Sequence, residues 1–410
     1  MLSSNCRSCG KPLRDTFVDL GMSPLANSYL QASQLDQQEQ LYPLHVYVCR
    51  SCFLVQLVPV NKPEDIFSDY AYFSSFSESW LKHAKSYVES VIDRFHLTEG
   101  SFVLEIASND GYLLQYFVAR NIPVLGIEPA KNVADTAISR GISTLVRFFS
   151  QDVARELMSE GKFPNLVIGN NVLAHVPELN DFVKALKMIL REGGVITLEF
   201  PHLLRLIAEN QFDTIYHEHV FYFSLIAIQT LIERHGLTVF DVEELPTHGG
   251  SLRIYATHRG DSRHPVKERV TNLLAKENTA GLSNLKQYVS FSEKVMQAKR
   301  RLLDFLLIAK REGKTVVGYG APAKGNTLLN YCGIGADFLD YTVDRSPHKQ
   351  GMFLPGTHIP IYHPDRIRET KPNYVLILPW NLQDEITAQM DYIRRWGGRF
   401  VVPIPETTVI

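Results

Sequence analysis

The chain has no apolar run approaching the roughly 20 residues that a membrane-crossing helix needs, which excludes a helical anchor as the first reading of the sequence. It has no surplus of positive charge: 42 Lys and Arg stand against 44 Asp and Glu, a net charge of −2. Nucleic-acid binding is thereby set aside, because such proteins gather their ligand with a basic field. The opening MLSSNCRSCG lacks the apolar core of a secretory signal. A cytoplasmic protein with reduced thiols is expected. What is present is the composition of a soluble globular protein, 45% hydrophobic and 21% charged. Its 410 residues are enough for two or three domains, each with its own core.

Cysteine is scarce, at five residues, yet four stand in two pairs. Cys6-Arg7-Ser8-Cys9 is one CxxC turn and Cys49-Arg50-Ser51-Cys52 is another. Each turn aims two thiolates at one centre, and four thiolates complete a tetrahedral shell suited to Zn²⁺. A redox dithiol would need a thioredoxin-like βαβ context, which is missing. Protein fills all four positions, so the ion is structural. It also offsets the small core of a segment this short. Cys332 stands alone and reads as a small buried residue.

From about residue 100 strands and helices alternate, which implies a parallel sheet with ligands at the carboxyl ends of its strands. Ser101–Ala107 reads as the first strand, Ser108-Asn109-Asp110-Gly111 as a turn, and Tyr112 opens a helix. Pro123–Ile127, Asn165–Gly169 and Gly194–Phe200 read as further strands. Glu105 lies near the end of the first strand and Glu128 ends the second. An acid there can hold both ribose hydroxyls of an adenosine. The GxGxxG fingerprint of a pyrophosphate site is absent from the first turn. S-adenosylmethionine (SAM) has no phosphates and does not need it.

The last third looks like a second nucleotide-type fold. A helix is predicted over 283–311, followed by a strand Lys314–Tyr319. Gly320, Ala321, Lys324 and Asn326 then form a turn and helix start of the kind that cradles phosphate. Tyr341–Asp344 and Tyr374–Leu378 supply further strands, and Asp344 at a strand end could meet a ribose. An NAD site on this fold, in an oxidoreductase, is the alternative.

Between the folds lies Tyr216-His217-Glu218-His219, with Tyr222 just beyond. Three readings compete. On a strand His217 and His219 would share a face and could bind metal, but no third ligand is apparent. They could cap a buried corner. Or they could do acid–base chemistry: a histidine to remove a proton beside a ketone, a carboxylate to orient the ring or contact a sugar, and a phenol to meet the enolate oxygen.

The segments VLEIASNDGYLL, GIEPA, NNVLAHVPEL and GGVITLEF resemble class I SAM-dependent methyltransferases, although Ala107 stands where the first glycine of their motif belongs. Together with the paired CxxC turns, YHEHVFYFS, the HGG at 248–250 and GYGAPAKG at 318–325, the whole chain resembles the sugar C-methyltransferases. That family methylates a ring carbon of a nucleotide-activated ketodeoxysugar, typically a dTDP-linked 4-keto-6-deoxyhexose, in deoxysugar biosynthesis.

The resemblance implies an α/β fold in three parts. A zinc-binding domain would span 1–65, a class I Rossmann-like methyltransferase domain 66–245, and a C-terminal Rossmann-like domain 246–410. Glu105, Ser108, Asn109, Asp110 and Gly111 would surround the methionine end of SAM. Glu128 and Pro129 would lie at its ribose. Asn170, Asn171 and His175 would face cofactor and substrate. Glu218 and His219 match the family's catalytic pair, with His219 as base. Tyr216 and one of Tyr70 and Tyr72 match its active-site tyrosines. Gly320, Ala321, Lys324, Asn326 and Asp344 would take the substrate's diphosphate nucleotide. The chain is expected to act as a monomer.

Overall fold

A computed structural model describes residues 5–60 and 73–410. Tyr70 and Tyr72 lie outside the described residues. Three sheets organise the chain. The first is antiparallel: β1 (Asp15–Ser23), β2 (Tyr42–Val48), β3 (Val55–Leu57) and, from far along the chain, β9 (Phe221–Tyr222). In β2, Leu44, Val46 and Val48 alternate inward, the period of a strand with one wet face. Cys49 to Cys52 make the turn between β2 and β3. β9 pairs with β3 through Val55–Tyr222 and Gln56–Phe221. The sheet of the cysteine module is therefore completed by a short strand just after the YHEH segment.

The second sheet has seven strands. β4 (Val103–Ile106), β5 (Val124–Ile127), β6 (Thr144–Leu145), β7 (Leu166–Asn170) and β8 (Val195–Pro201) run parallel. β10 (Leu237–Leu245) and β11 (Ser251–His258) close it antiparallel, in the order β10-β11-β8-β7-β4-β5-β6. Every residue of β4 and β7 is buried, as parallel strands covered on both faces require. β11 lies beyond residue 246 but pairs with both β10 and β8, so this sheet runs to residue 258.

The third sheet is β12 (Val316–Tyr319), β13 (Thr342–Val343), β14 (Ile361–Tyr362), β15 (Tyr374–Ile377), β16 (Arg399–Val402) and β17 (Thr408–Val409). Its order is β14-β13-β12-β15-β16-β17, parallel except for β17. The helix predicted over 283–311 is broken in two, Leu285–Val289 and Phe291–Arg311. At the break the Ser290 hydroxyl donates to the Gln287 carbonyl at 2.9 Å, a local bond that competes with helix continuation.

The cysteine module is wedged between the two larger units. Phe17 of β1 stacks on Phe291 at 4.6 Å between ring centroids. Both rings are fully buried, and burial of each stabilises by roughly 2 kcal/mol. On its other side, Cys6, Cys49, Cys52, Leu13 and Leu54 join the apolar core of the seven-stranded sheet. No described helix is long and apolar enough to cross a membrane.

Candidate active site

Tyr216 to His219 form a tight turn rather than a strand, closed by the His219 N–H on the Tyr216 carbonyl at 2.9 Å. The turn therefore sets the two histidines on different sides. His217 leans toward Tyr42 of the cysteine module, 5.9 Å between ring centroids. His219 packs against Tyr216 at 4.0 Å. Its Nδ1 lies 2.9 Å from the Thr214 carbonyl, which accepts only, so that nitrogen carries the proton. Nε2 is then the lone-pair nitrogen, and it accepts from the Tyr216 hydroxyl at 2.8 Å. Burial, reinforced by His175 and more weakly by His248 and Lys324, holds His219 well below the usual imidazole range. The ring is neutral at pH 7 and ready to take a proton.

Glu218 does not orient that ring. Its Oε1 accepts from Nδ2 of Asn27, in the cysteine module, at 2.6 Å. Burial raises its pKa, opposed by Asn27. His175 lies beneath the turn, with Nδ1 on the Glu218 carbonyl at 2.8 Å and its ring 4.9 Å from that of His219. Burial lowers His175 to about 4.

The turn after β4 is built from left-handed residues: φ is +56° at Ala107, +51° at Asn109 and +78° at Gly111. Glycine suits 111, where φ is left-handed and a Cβ would stand 2.2 Å from Cδ1 of Ile142. Glu128, with Pro129 after it, ties the turn down. Its oxygens accept from the N–H groups of Asn109 and Ala130, each at 2.9 Å. Glu105 is buried beside it, and its pKa is raised well above normal by burial, then by Glu128 and Asp110. Oδ1 of Asp110, Oγ of Ser108 and Oδ1 of Asn170 are buried without a hydrogen-bond partner among the described residues. Orphaned acceptors and crowded acids suit a ligand that brings donors and positive charge. SAM, with an ammonium, a sulfonium and ribose hydroxyls, fits. Asn171 follows β7 with φ +52°.

The turn after β12 uses a similar device. Asp344 accepts from the Ala321 N–H at 2.7 Å and the Ser346 N–H at 2.8 Å. Gly320 has φ +88°, and a Cβ would meet Pro379 at 2.5 Å. Lys324 reaches Oδ1 of Asn381 at 2.7 Å and lies 4.6 Å over the Trp380 ring. Asn326 instead joins units: Nδ2 donates to the Ala26 carbonyl at 2.6 Å. Trp380 Nε1 donates to Asp213, three residues before Tyr216, at 2.6 Å. Asn27, Thr214, Asp213 and Trp380 were not expected from the sequence. Only the short spacing of Asp213 and Thr214 to YHEH could have flagged them.

The four expected ligand cysteines converge, their sulfurs all within 4.8 Å of one another. Cys6 and Cys52 are 3.6 Å apart, and Cys9 and Cys49 3.5 Å. A tetrahedron with about 2.3 Å zinc–sulfur bonds has edges of about 3.8 Å, so the cluster fits one Zn²⁺. Cys49 beside it, reinforced by burial, pushes the Cys6 thiol up to about 11. Four thiolates cannot share this space without a dication. Among the described residues this is the only such cluster; the histidines of YHEH do not join one.

Three family models match the chain: "Putative zinc binding domain" over 6–67, "Methyltransferase domain" over 80–242 and "C-methyltransferase C-terminal domain" over 246–405. The C-methyltransferase NovU of Streptomyces niveus is 36% identical over 405 residues, 99% of this chain and 96% of that protein. Solved structures resemble this chain weakly. The PH0226 protein from Pyrococcus horikoshii has a TM-score of 0.38 at 16% identity, covering 48% of this chain and 98% of that one. An S-adenosylmethionine-dependent methyltransferase from Clostridium acetobutylicum has a TM-score of 0.36 at 10% identity, covering 44% and 92%. At this level of likeness neither structure bears on the chemistry.

Proposed function

We propose, from the premise that this chain belongs to the C-methyltransferase family, that it methylates the carbon beside the keto group of a nucleotide-linked 4-keto-6-deoxysugar, with dTDP as the expected nucleotide. It is a SAM-dependent C-methyltransferase with a structural zinc in its N-terminal module. SAM supplies an electrophilic methyl group and asks only for a nucleophile. A carbon beside a ketone becomes one by losing a proton.

The observation that carries the proposal is the fixed ring of His219. Thr214 holds the proton on Nδ1, and burial keeps the ring neutral. The Tyr216 hydroxyl marks the direction of the Nε2 lone pair. The C–H bond to be broken would come to that side. Glu218, held by Asn27, would meet a sugar hydroxyl. Glu105, Asp110, Glu128 and Asn170 would hold the cofactor. The helix start at Ala323, with Lys324, would face the diphosphate. The division at 65/66 and 245/246 stays a proposal, with β9 and β11 exchanged across it. A cytoplasmic monomer is part of the same proposal.

The test is a panel of dTDP-ketosugars deuterated at the candidate carbon. Wild type should methylate one of them and release the label. His219→Asn should lose at least about 10²-fold in kcat with SAM binding intact. If the label stays on that carbon while methylation proceeds, the methyl group went to oxygen or nitrogen and the reading fails.

A further inference from the structure

The chemistry of His219 leaves the turn between β10 and β11 without a role. Residues 248, 249 and 250 have φ of +55°, +90° and +116°. The two glycines have steric reasons. A Cβ at Gly249 would lie 2.7 Å from the Trp380 ring, and one at Gly250 would lie 2.8 Å from the Arg205 side chain. His248 has no such excuse. Histidine enters the left-handed region more readily than most residues, yet the conformation still costs backbone energy. Its ring stays open to solvent although protein surrounds it, as on the wall of a cleft, so core packing does not recover the cost.

The surroundings hold it there nevertheless. Nε2 of His248 lies 3.3 Å from Nδ2 of Asn171, itself left-handed at +52°. Asn171 and Thr247, the neighbour of His248 in the chain, are both fastened to Glu199 near the end of β8. The Asn171 N–H donates to the Glu199 carbonyl at 2.7 Å, and the Thr247 hydroxyl donates to Oε1 at 3.0 Å. His83 at 3.0 Å and Arg253 at 2.5 Å hold the Glu199 carboxylate. Burial alone would raise its pKa, but these two keep it down to about 2. The anchor is charged at every physiological pH.

Position adds to the case. The His248 ring is 5.0 Å from that of Trp80, which stacks on Tyr112 at 5.9 Å, just after the turn assigned to SAM. On the other side its field reaches His219, and the field of Lys324 reaches it. The ring is thus linked to the cofactor turn through Trp80 and to the base through its field.

We propose that His248 is a catalytic residue whose Nδ1–H donates a hydrogen bond to the substrate's keto oxygen as negative charge develops there. This rests on the ketosugar reading. The Asn171 amide nitrogen is a donor, so Nε2 facing it is the acceptor and the ring proton sits on Nδ1. The surrounding protein, then Lys324, lower the pKa of His248, so the imidazole is neutral at pH 7. A neutral imidazole stabilises an oxyanion without surrendering its proton. His219 takes the α-proton, and the C–H electron pair becomes the C=C bond of the enolate. The carbonyl π pair moves onto oxygen, where Nδ1–H meets it. The carbon then bonds to the methyl group as the methyl–sulfur bond breaks, S-adenosylhomocysteine leaves, and the ketone re-forms.

His248→Gly tests this, because glycine accepts the backbone and removes only the ring. The melting temperature should stay or rise, and SAM affinity should stay. kcat should fall at least about 10²-fold. With S-adenosylhomocysteine in place of SAM, washout of deuterium from the α-carbon should slow by a similar factor. His248→Asn, which tolerates the same backbone and offers an amide donor, should recover part of the loss. If His248→Gly keeps washout and kcat within about threefold, the inference is wrong. If it melts earlier and binds SAM worse, the ring is structural and the inference is again wrong. If wild type neither exchanges nor methylates any nucleotide-linked ketosugar, the functional reading itself has failed and this inference falls with it.

Discussion

At the end of β5, Glu128 accepts the N–H groups of Asn109 and Ala130; just after β13, Asp344 accepts those of Ala321 and Ser346. In both halves an acid at a strand end ties down the turn that follows the neighbouring strand. The acid is thus a device of the fold and does not by itself identify a ligand. What differs is the company. Beside Glu128 lies the buried Glu105, whose carboxyl is pushed well above the usual range by burial and then by Glu128 and Asp110. Near Asp344, Lys349 donates to the Ala321 carbonyl at 2.8 Å, and Lys324 opens the next helix. Crowded carboxylates favour a cationic, hydroxyl-bearing ligand, and lysines at a helix start favour an anionic one. The two halves share a frame and differ in sign.

The largest expected effect concerns whether the halves are independent at all. The zinc module packs on both, and β3 pairs with β9 just after YHEH. Zinc contributes on the order of 10 kcal/mol to small metal-dependent domains. Cys49→Ser, or chelation, should lower the melting temperature sharply. It should also lower kcat per folded molecule, because the strand that follows the YHEH turn loses its partner. Metal analysis should give one zinc per chain. Zinc-free protein with unchanged melting and kcat would show that the module merely leans on its neighbours.

A crossed pair of substitutions sharpens the difference in sign. Glu128→Gln should weaken SAM binding about 10²-fold, on the scale of two charge-assisted hydrogen bonds, and change nucleotide-sugar affinity by less than about twofold. Asp344→Asn should weaken the nucleotide sugar about tenfold and spare SAM. Calorimetric titration reads both. If either variant weakens both ligands equally, its acid acts only through the fold.

Much of this was legible in the sequence because it is local. The CxxC turns place their own ligands, and buried parallel strands write themselves as apolar runs ending at Glu105 and Glu128. The YHEH residues declared themselves by chemical type. The surrounding contacts did not. Asn27 meets Glu218, Trp380 meets Asp213, and a two-residue strand joins a distant sheet; no periodicity announces such pairings. A strand assumption also misplaced the two histidines, since alternation puts them together and a tight turn parts them. HGG was visible as a motif, but the left-handed backbone of His248 was not.

The smallest expected effect joins the two halves. Lys324 belongs to the C-terminal fold, yet its charge lowers the pKa of both His219 and His248. Burial lowers its own pKa, opposed by Asp213. Lys324→Met keeps the stem over Trp380 and removes the charge. The nucleotide-sugar KM should rise by up to about tenfold, as for one lost charge-assisted contact, with SAM affinity unchanged. The sign of the pH effect follows from the field. Without the cation, protonated His219 is less disfavoured, so its pKa rises. The acid limb of kcat/KM, where His219 must be neutral, should move to higher pH. Asp213, which burial raises to about 6 against the pull of Lys324, would rise too. Asp213→Asn in the same background removes that contribution and should leave the His219 shift in place. A limb that stays put while KM rises would confine Lys324 to the anion and leave the halves electrostatically separate. A limb that moves to lower pH would mean that the base is not a buried neutral imidazole.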